Sequence, residues 1–266
     1  MILQMDPAKE LMELVSDFKV DTRIDGVRYL TDYFHLDASP TDFAQMIAAI
    51  HERFDLVSLL NANSGVPDQL KPVIEDRLST MRQAFAPISL AGPWADQVDD
   101  KFRAEILLPV QMLSGYIAAE HGYNRPNPEE LEQLDHDVKG LIEWLSAIQE
   151  EERDFIREAL IEGLTRFRFR VRNFRWYGWP ATFGSLREVA AAYMALERGK
   201  LPEAEPGQYE AMMMKTAGLL KSIFEKFKFA KDVQDVTDWV LKGYGAVHLA
   251  GGATTTIAGL LTHLSK

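Results

Sequence analysis

Ile156, Leu160, Leu164, Phe167, Val171 and Phe174 recur at intervals of four and three, the spacing that puts apolar side chains on one face of an α-helix. This stripe passes straight through "TRFRFRVRNFRWYGWP", residues 165 to 180, where five arginines alternate with aromatic and branched residues. Taken alone, that alternation has the period of a half-buried strand. A lone strand would leave its backbone groups unpaired, so the helical period decides. The pattern predicts a helix from about 149 to 177. Gly178 is expected as its left-handed stop, with Trp179 and Phe174 making the hydrophobic contact of a Schellman turn and Pro180 beyond.

The same period continues behind a series of helix-start signals. Asp6-Pro7, Ser39-Pro40-Thr41-Asp42, Pro67-Asp68 and Gly92-Pro93 each precede a run with helical spacing, the last predicted as one helix through "WADQVDDKFRAEILLPVQMLSGYIAAE". Asn127 with Glu130, and Ser185 with Glu188, have the spacing of a capping box. No succession of alternating runs joined by hairpin turns occurs. The expected fold is all-α, a bundle of about ten helices without a sheet. Proline- and glycine-rich breaks at 86 to 93, 121 to 128 and 199 to 208 are too short for free linkers. They suggest a single domain over 1–266, which two packed subdomains, 1–122 and 127–266, could compose.

Charge refines this picture. The 266 residues carry a formal net charge of −11, which disfavours broad nucleic-acid or anionic-membrane binding. Residues 1 to 150 hold 12 basic and 26 acidic side chains, against 17 and 14 in the remainder, so the halves either pack together or face different partners. Zero cysteines remove disulfides, thiolate nucleophiles and thiolate-bound metals. The first residues lack the basic and apolar regions of a secretory signal, and a cytoplasmic location is expected.

Within the predicted helix, Arg168, Arg172 and Arg175 flank the apolar stripe, while Phe169 and Trp176 face the other side. One account is structural: the acidic first turns and basic last turns complement the helix dipole, Glu162 pairs with Arg166, and the arginines stack on aromatics or meet acidic residues. The other makes Arg168, Phe169, Arg172, Arg175 and Trp176 a partner-binding surface, because tryptophan and arginine are enriched in interface hot spots. Single-stranded nucleic acid is a third, disfavoured occupant.

Catalytic signatures are sparse. No paired Glu-x-x-His, HExxH, G-x-S-x-G or Walker lysine loop occurs. Glu132 and His136 share a helix face, but the adjacent Asp135 and Asp137 suit a solvated surface. "GYGAVH", 243 to 248, lacks the third glycine of a dinucleotide loop. His51 and His121 read as isolated solvated or hydrogen-bonded histidines. No cofactor, metal or catalytic residue is assigned.

From Gly243 to Ser265 the chain carries no charge, about the length that crosses a bilayer. Its threonines, glycines and histidines make it polar for that role. Gly251, Thr255 and Gly259 form a row of small residues suited to close helix packing. Residues 246–264 are therefore expected as a helix packed on the protein or on a second copy, with membrane entry as the alternative. These readings favour a non-enzymatic, cytoplasmic protein-interaction module, an adaptor, regulatory or immunity-type subunit with a protein partner or a homo-oligomeric state. A membrane-active effector of toxin or abortive-defence type ranks second and an unrecognised helical enzyme third.

Overall fold

The computed structural model describes residues 4–21, 24–36, 39–148, 154–198 and 206–226. The stretch 246–264, with Gly251, Thr255 and Gly259, lies outside the described residues. Among those described, the chain is all-helical: twelve α-helical elements and one 3-10 turn at Gln83–Phe85. Two extended pieces, β1 (Gln4–Met5) and β2 (Tyr123–Asn124), are too short to form a sheet layer.

Two compact units divide the chain. The first contains residues 1–122 together with 173–181; the second contains 123–172 and 182–266. In the first unit, α1 (Pro7–Asp17), α3 (Pro40–Asn63), α4 (Lys71–Arg82) and α7 (Ala104–His121) form a ring in which each helix touches two neighbours. The shorter α2 (Gly26–Tyr33), α5 (Pro87–Leu90) and α6 (Trp94–Lys101) complete it. An aromatic cluster ties these pieces together. Phe18 meets Trp94 edge-on at 5.4 Å and Tyr29 stacks on Trp94 at 4.9 Å, geometries that favour the ring quadrupoles. In the second unit α8 (Pro128–Ala147), α9 (Asp154–Arg172), α11 (Leu186–Arg198) and α12 (Pro206–Lys226) close a second four-membered ring.

The helix-start chemistry is visible where its groups are placed. Asp6 caps α1 by accepting from the amides of Ala8 and Lys9, each at 3.0 Å. Asn127 and Glu130 exchange both bonds of the capping box at 2.8 Å. Each satisfies amides that the first helical turn leaves without a partner.

Four local expectations are corrected. Residues 94 to 120 form α6 and α7 rather than one helix, because Phe102 leaves the helical path and joins the aromatic cluster, 5.8 Å from Phe18. The helix behind Pro67-Asp68 starts later, at Lys71, after a turn in which the Leu70 amide donates to Pro67 O at 2.8 Å. Ser185 does not act as a capping-box side chain; its hydroxyl donates to Thr182 O at 2.6 Å. Finally, the predicted helix from 149 to 177 is interrupted. α9 ends at Arg172, and α10 (Phe174–Gly184) begins after Asn173, whose carbonyl accepts from the Trp176 amide at 2.9 Å. Residues 149 to 153 lie outside the described residues.

Candidate interaction surface

Residues 165 to 172 are helical, and the apolar stripe that passes through them is buried: Leu160, Leu164, Phe167, Val171 and Phe174 all lie in cores. Its arginines are largely engaged. In the second unit Arg168 holds Asp135 in a two-pronged pair, Nε to Oδ1 at 2.8 Å and Nη2 to Oδ2 at 3.1 Å. Arg166 bridges Glu162, one turn back, and Glu188 at 3.0 Å. Phe169 is 37% exposed and Arg172 is exposed.

Beyond Asn173 the chain belongs to the first unit. Trp176 is packed into that unit's core at 5% exposure, so Phe169 and Trp176 fall in different units and Trp176 offers little ring surface. Arg175 lies over the Tyr33 ring at 4.0 Å and donates to Asp17 Oδ2 at 2.8 Å. Tyr33 donates its hydroxyl to the same Asp17 oxygen at 2.6 Å. Burial, and then this bond to the carboxylate, pushes the Tyr33 phenol well above its ordinary range. The Tyr33 hydroxyl bond, ahead of the Arg175 guanidinium, holds the Asp17 carboxyl below its own. A neutral phenol and an ionised carboxylate therefore clamp Arg175 at neutral pH.

Gly178 does have positive φ, at +68°, but its ψ is 178°, outside the left-handed helical well and in a region essentially reserved for glycine. The Trp179 amide that follows belongs to a different arrangement from the Schellman stop expected here. It donates to the Glu10 carboxylate, 3.0 Å from Oε2 and 3.2 Å from Oε1. Glu10 and Arg53 are each only 6% exposed and stand 3.7 Å apart, and Arg53 Nη1 donates to Arg175 O at 3.2 Å. A Cβ at residue 178 would sit 2.5 Å from Glu10 Oε2. Glycine is needed here so that the backbone can reach a buried ion pair.

Sequence reasoning missed this cluster, although a signal existed. Arg53 interrupts the apolar series Met46, Ile50, Val57, Leu60, and Glu10 falls on the buried side of α1. Opposite charges inside two apolar stripes are candidates to meet each other. The cleft beside them, lined in part by Pro7, Glu52 and Pro180, leaves about 20 Å³ for the centre of a water molecule. That is room for about one water; the bonds from Arg53 to Arg175 O and from the Trp179 amide to Glu10 latch residues 173–181 to the rest of the first unit.

Another surface is open. α7 buries Ile106, Val110, Leu113 and Ile117, yet on its other side Leu108 is 57%, Met112 50% and Tyr116 44% exposed. Gln111, Gly115 and Ala119 share that exposed side. No charged residue occurs from Ile106 to Ala119. A helix apolar all round belongs in an interior, but α1 and α4 cover only part of this one.

Among the described residues no three histidine or carboxylate side chains are grouped to hold a metal, and no helix is long and apolar enough to cross a membrane. No known protein family, curated protein or solved structure matches this chain.

Proposed function

We propose that the protein is a protein-interaction module rather than an enzyme, and that its contact surface is the outer face of α7. The observation that carries this reading is the uncharged exposed face containing Leu108, Met112 and Tyr116. Such a face offers a partner apolar area and one phenol for a hydrogen bond. Contiguous apolar surface of this kind marks binding sites, because leaving it in water forgoes about 25 cal/mol for each Å². The arginine and aromatic stretch supports the reading less well: Arg168 and Arg175 already hold carboxylates and Trp176 is in a core.

A photo-crosslinking amino acid at Met112, introduced in the cells that make the protein, tests this proposal. A discrete adduct with protein is expected at 112 and not at exposed Glu75 on α4. Absence of any adduct at 112, or equal adducts at both positions, would remove α7 as the contact surface.

A further inference from the structure

α3 and α4 are neighbours joined by polar bonds along their length. Near one end Asn61 Nδ2 donates to Lys71 O at 3.0 Å, and midway Ser58 donates its hydroxyl to Glu75 Oε2 at 2.7 Å. At the other end Arg82, in the last turn of α4, reaches two residues of α3. Its Nε donates to His51 Nδ1 at 3.0 Å, and its two Nη groups hold the Asp55 carboxylate, with Nη2 3.4 Å from Oδ2. His51 and Asp55 are four residues apart, so they are neighbours on one face of α3.

The bond from Arg82 fixes the state of the histidine. A guanidinium keeps its charge at any ordinary pH and has no acceptor to offer. Nδ1 must therefore carry a lone pair, which leaves the ring neutral with its proton on Nε2. A proton on Nδ1 would set N–H against N–H and cation against cation. The same proton would make His51 a partner for the anion one turn along its own helix.

We infer that His51, Arg82 and Asp55 form a proton-operated joint between α3 and α4, in which a proton taken from solvent by His51 Nδ1 breaks the bond from Arg82 and draws Asp55 from Arg82 to His51. A link between two helices becomes a link within one, and the last turn of α4 is released from α3. The bonds at Ser58 and Asn61 involve no histidine, so the release is confined to this end of the pair.

The surroundings set the direction of the response. Burial, and then the Arg82 guanidinium, lower the His51 pKa from its ordinary value, while Asp55 pulls it upward. Other charges on the adjoining elements are turned elsewhere: Glu10 of α1 faces Arg53, Arg175 of α10 is on Asp17, and Glu75 of α4 is on Ser58. Glu52, next in sequence, is exposed. Because the folded value lies below the unfolded one, the joint contributes fully above the ordinary histidine range. Its contribution is lost as pH falls through the lowered value.

Nitrogen-15 NMR of the full chain tests the joint, with His51→Gln identifying the signals of residue 51 among the six histidines. At about pH 7.5 His51 should be the Nε2–H tautomer, with a titration midpoint below the ordinary value. Arg82→Gln should raise that midpoint and Asp55→Asn should lower it further. If Arg82→Gln does not fold, Arg82→Lys keeps a cation for Asp55 without the second arm and should raise the midpoint by less. Hydrogen exchange reads the mechanical consequence. Between about pH 7.5 and about pH 5, protection of the amides of the last turn of α4, corrected for intrinsic rates, should fall more in the parent than in His51→Gln, which has nothing to protonate there. Amides of α8 should show no such difference. An Nδ1–H tautomer, a midpoint indifferent to the loss of Arg82, or an equal loss of protection in parent and His51→Gln would overturn the inference.

Discussion

Residues 165 to 180 and the outer face of α7 exchange the roles their compositions suggest. The first stretch has five arginines among aromatics, the makeup of an interface hot spot, yet most of its conspicuous groups are committed. Arg168 holds Asp135, Arg175 holds Asp17 beneath Tyr33, and the amide after Gly178 is held by Glu10. The α7 segment, "ILLPVQMLSGYIAA", has the makeup of an interior helix, yet Leu108, Met112 and Tyr116 face outward. Composition reports what a segment can bind. Only the arrangement of neighbouring elements determines whether the protein has already bound it.

The largest expected effect is at the committed stretch. Glu10→Ala strands the Arg53 guanidinium in the first unit's interior and deprives the Trp179 amide of its carboxylate. Breaking a buried pair from one side costs about 3–5 kcal/mol, and urea denaturation should show a loss of that order. A loss below about 1 kcal/mol would mean that water replaces the carboxylate and that residues 173–181 are not latched by it. Gly178→Ala comes next. A left-handed stop alone would cost about 1 kcal/mol. Here the backbone lies in a glycine-only region and the new Cβ would press on the carboxylate, so about 3 kcal/mol is expected. Thermal melts of the two single variants and the double variant should show strong non-additivity, since both disturb the same contact.

These effects indicate which parts of the molecule were legible in its sequence. The caps at Asp6, Ser39 and Asn127 were legible because their donors and acceptors lie within three residues. The helical stripe through the arginines was legible because its period is local. The break at Asn173 was not, since Val171 and Phe174 continue the stripe without interruption but are buried in different units. Phe102 was likewise read as one more helical aromatic, and its departure depends on the distant rings of Phe18 and Phe85. Gly178 was identified as a residue with positive φ, while its purpose lay 168 positions away at Glu10. The open side of α7 was illegible for the complementary reason: exposure depends on which neighbours are missing, and sequence spacing does not record that.

A smaller effect belongs to the second unit. Arg168→Ala removes a two-pronged pair whose members are each 26% exposed, in a setting drier than a surface ion pair but open to screening. A loss of about 1 kcal/mol is expected, reduced in high salt. A double-mutant cycle with Asp135→Ala measures the coupling. If the coupling vanishes while Arg168→Ala still weakens binding of another protein, Arg168 would return to the contact surface and the contrast with α7 would fail.

The smallest effect on the fold itself is predicted at α7. Met112→Gln exchanges an exposed thioether for an amide of similar length, touches no core position and leaves the helix with a good helix former. In dilute solution the unfolding free energy should change by less than about 0.5 kcal/mol. A partner protein that binds only the folded state adds stability that grows with the partner's concentration, and Met112→Gln should reduce that gain while leaving the free protein unchanged. The sign distinguishes the alternatives: a variant that is less stable by itself would place Met112 in the core, whereas one that differs only in the presence of the protein caught at residue 112 would mark a contact surface.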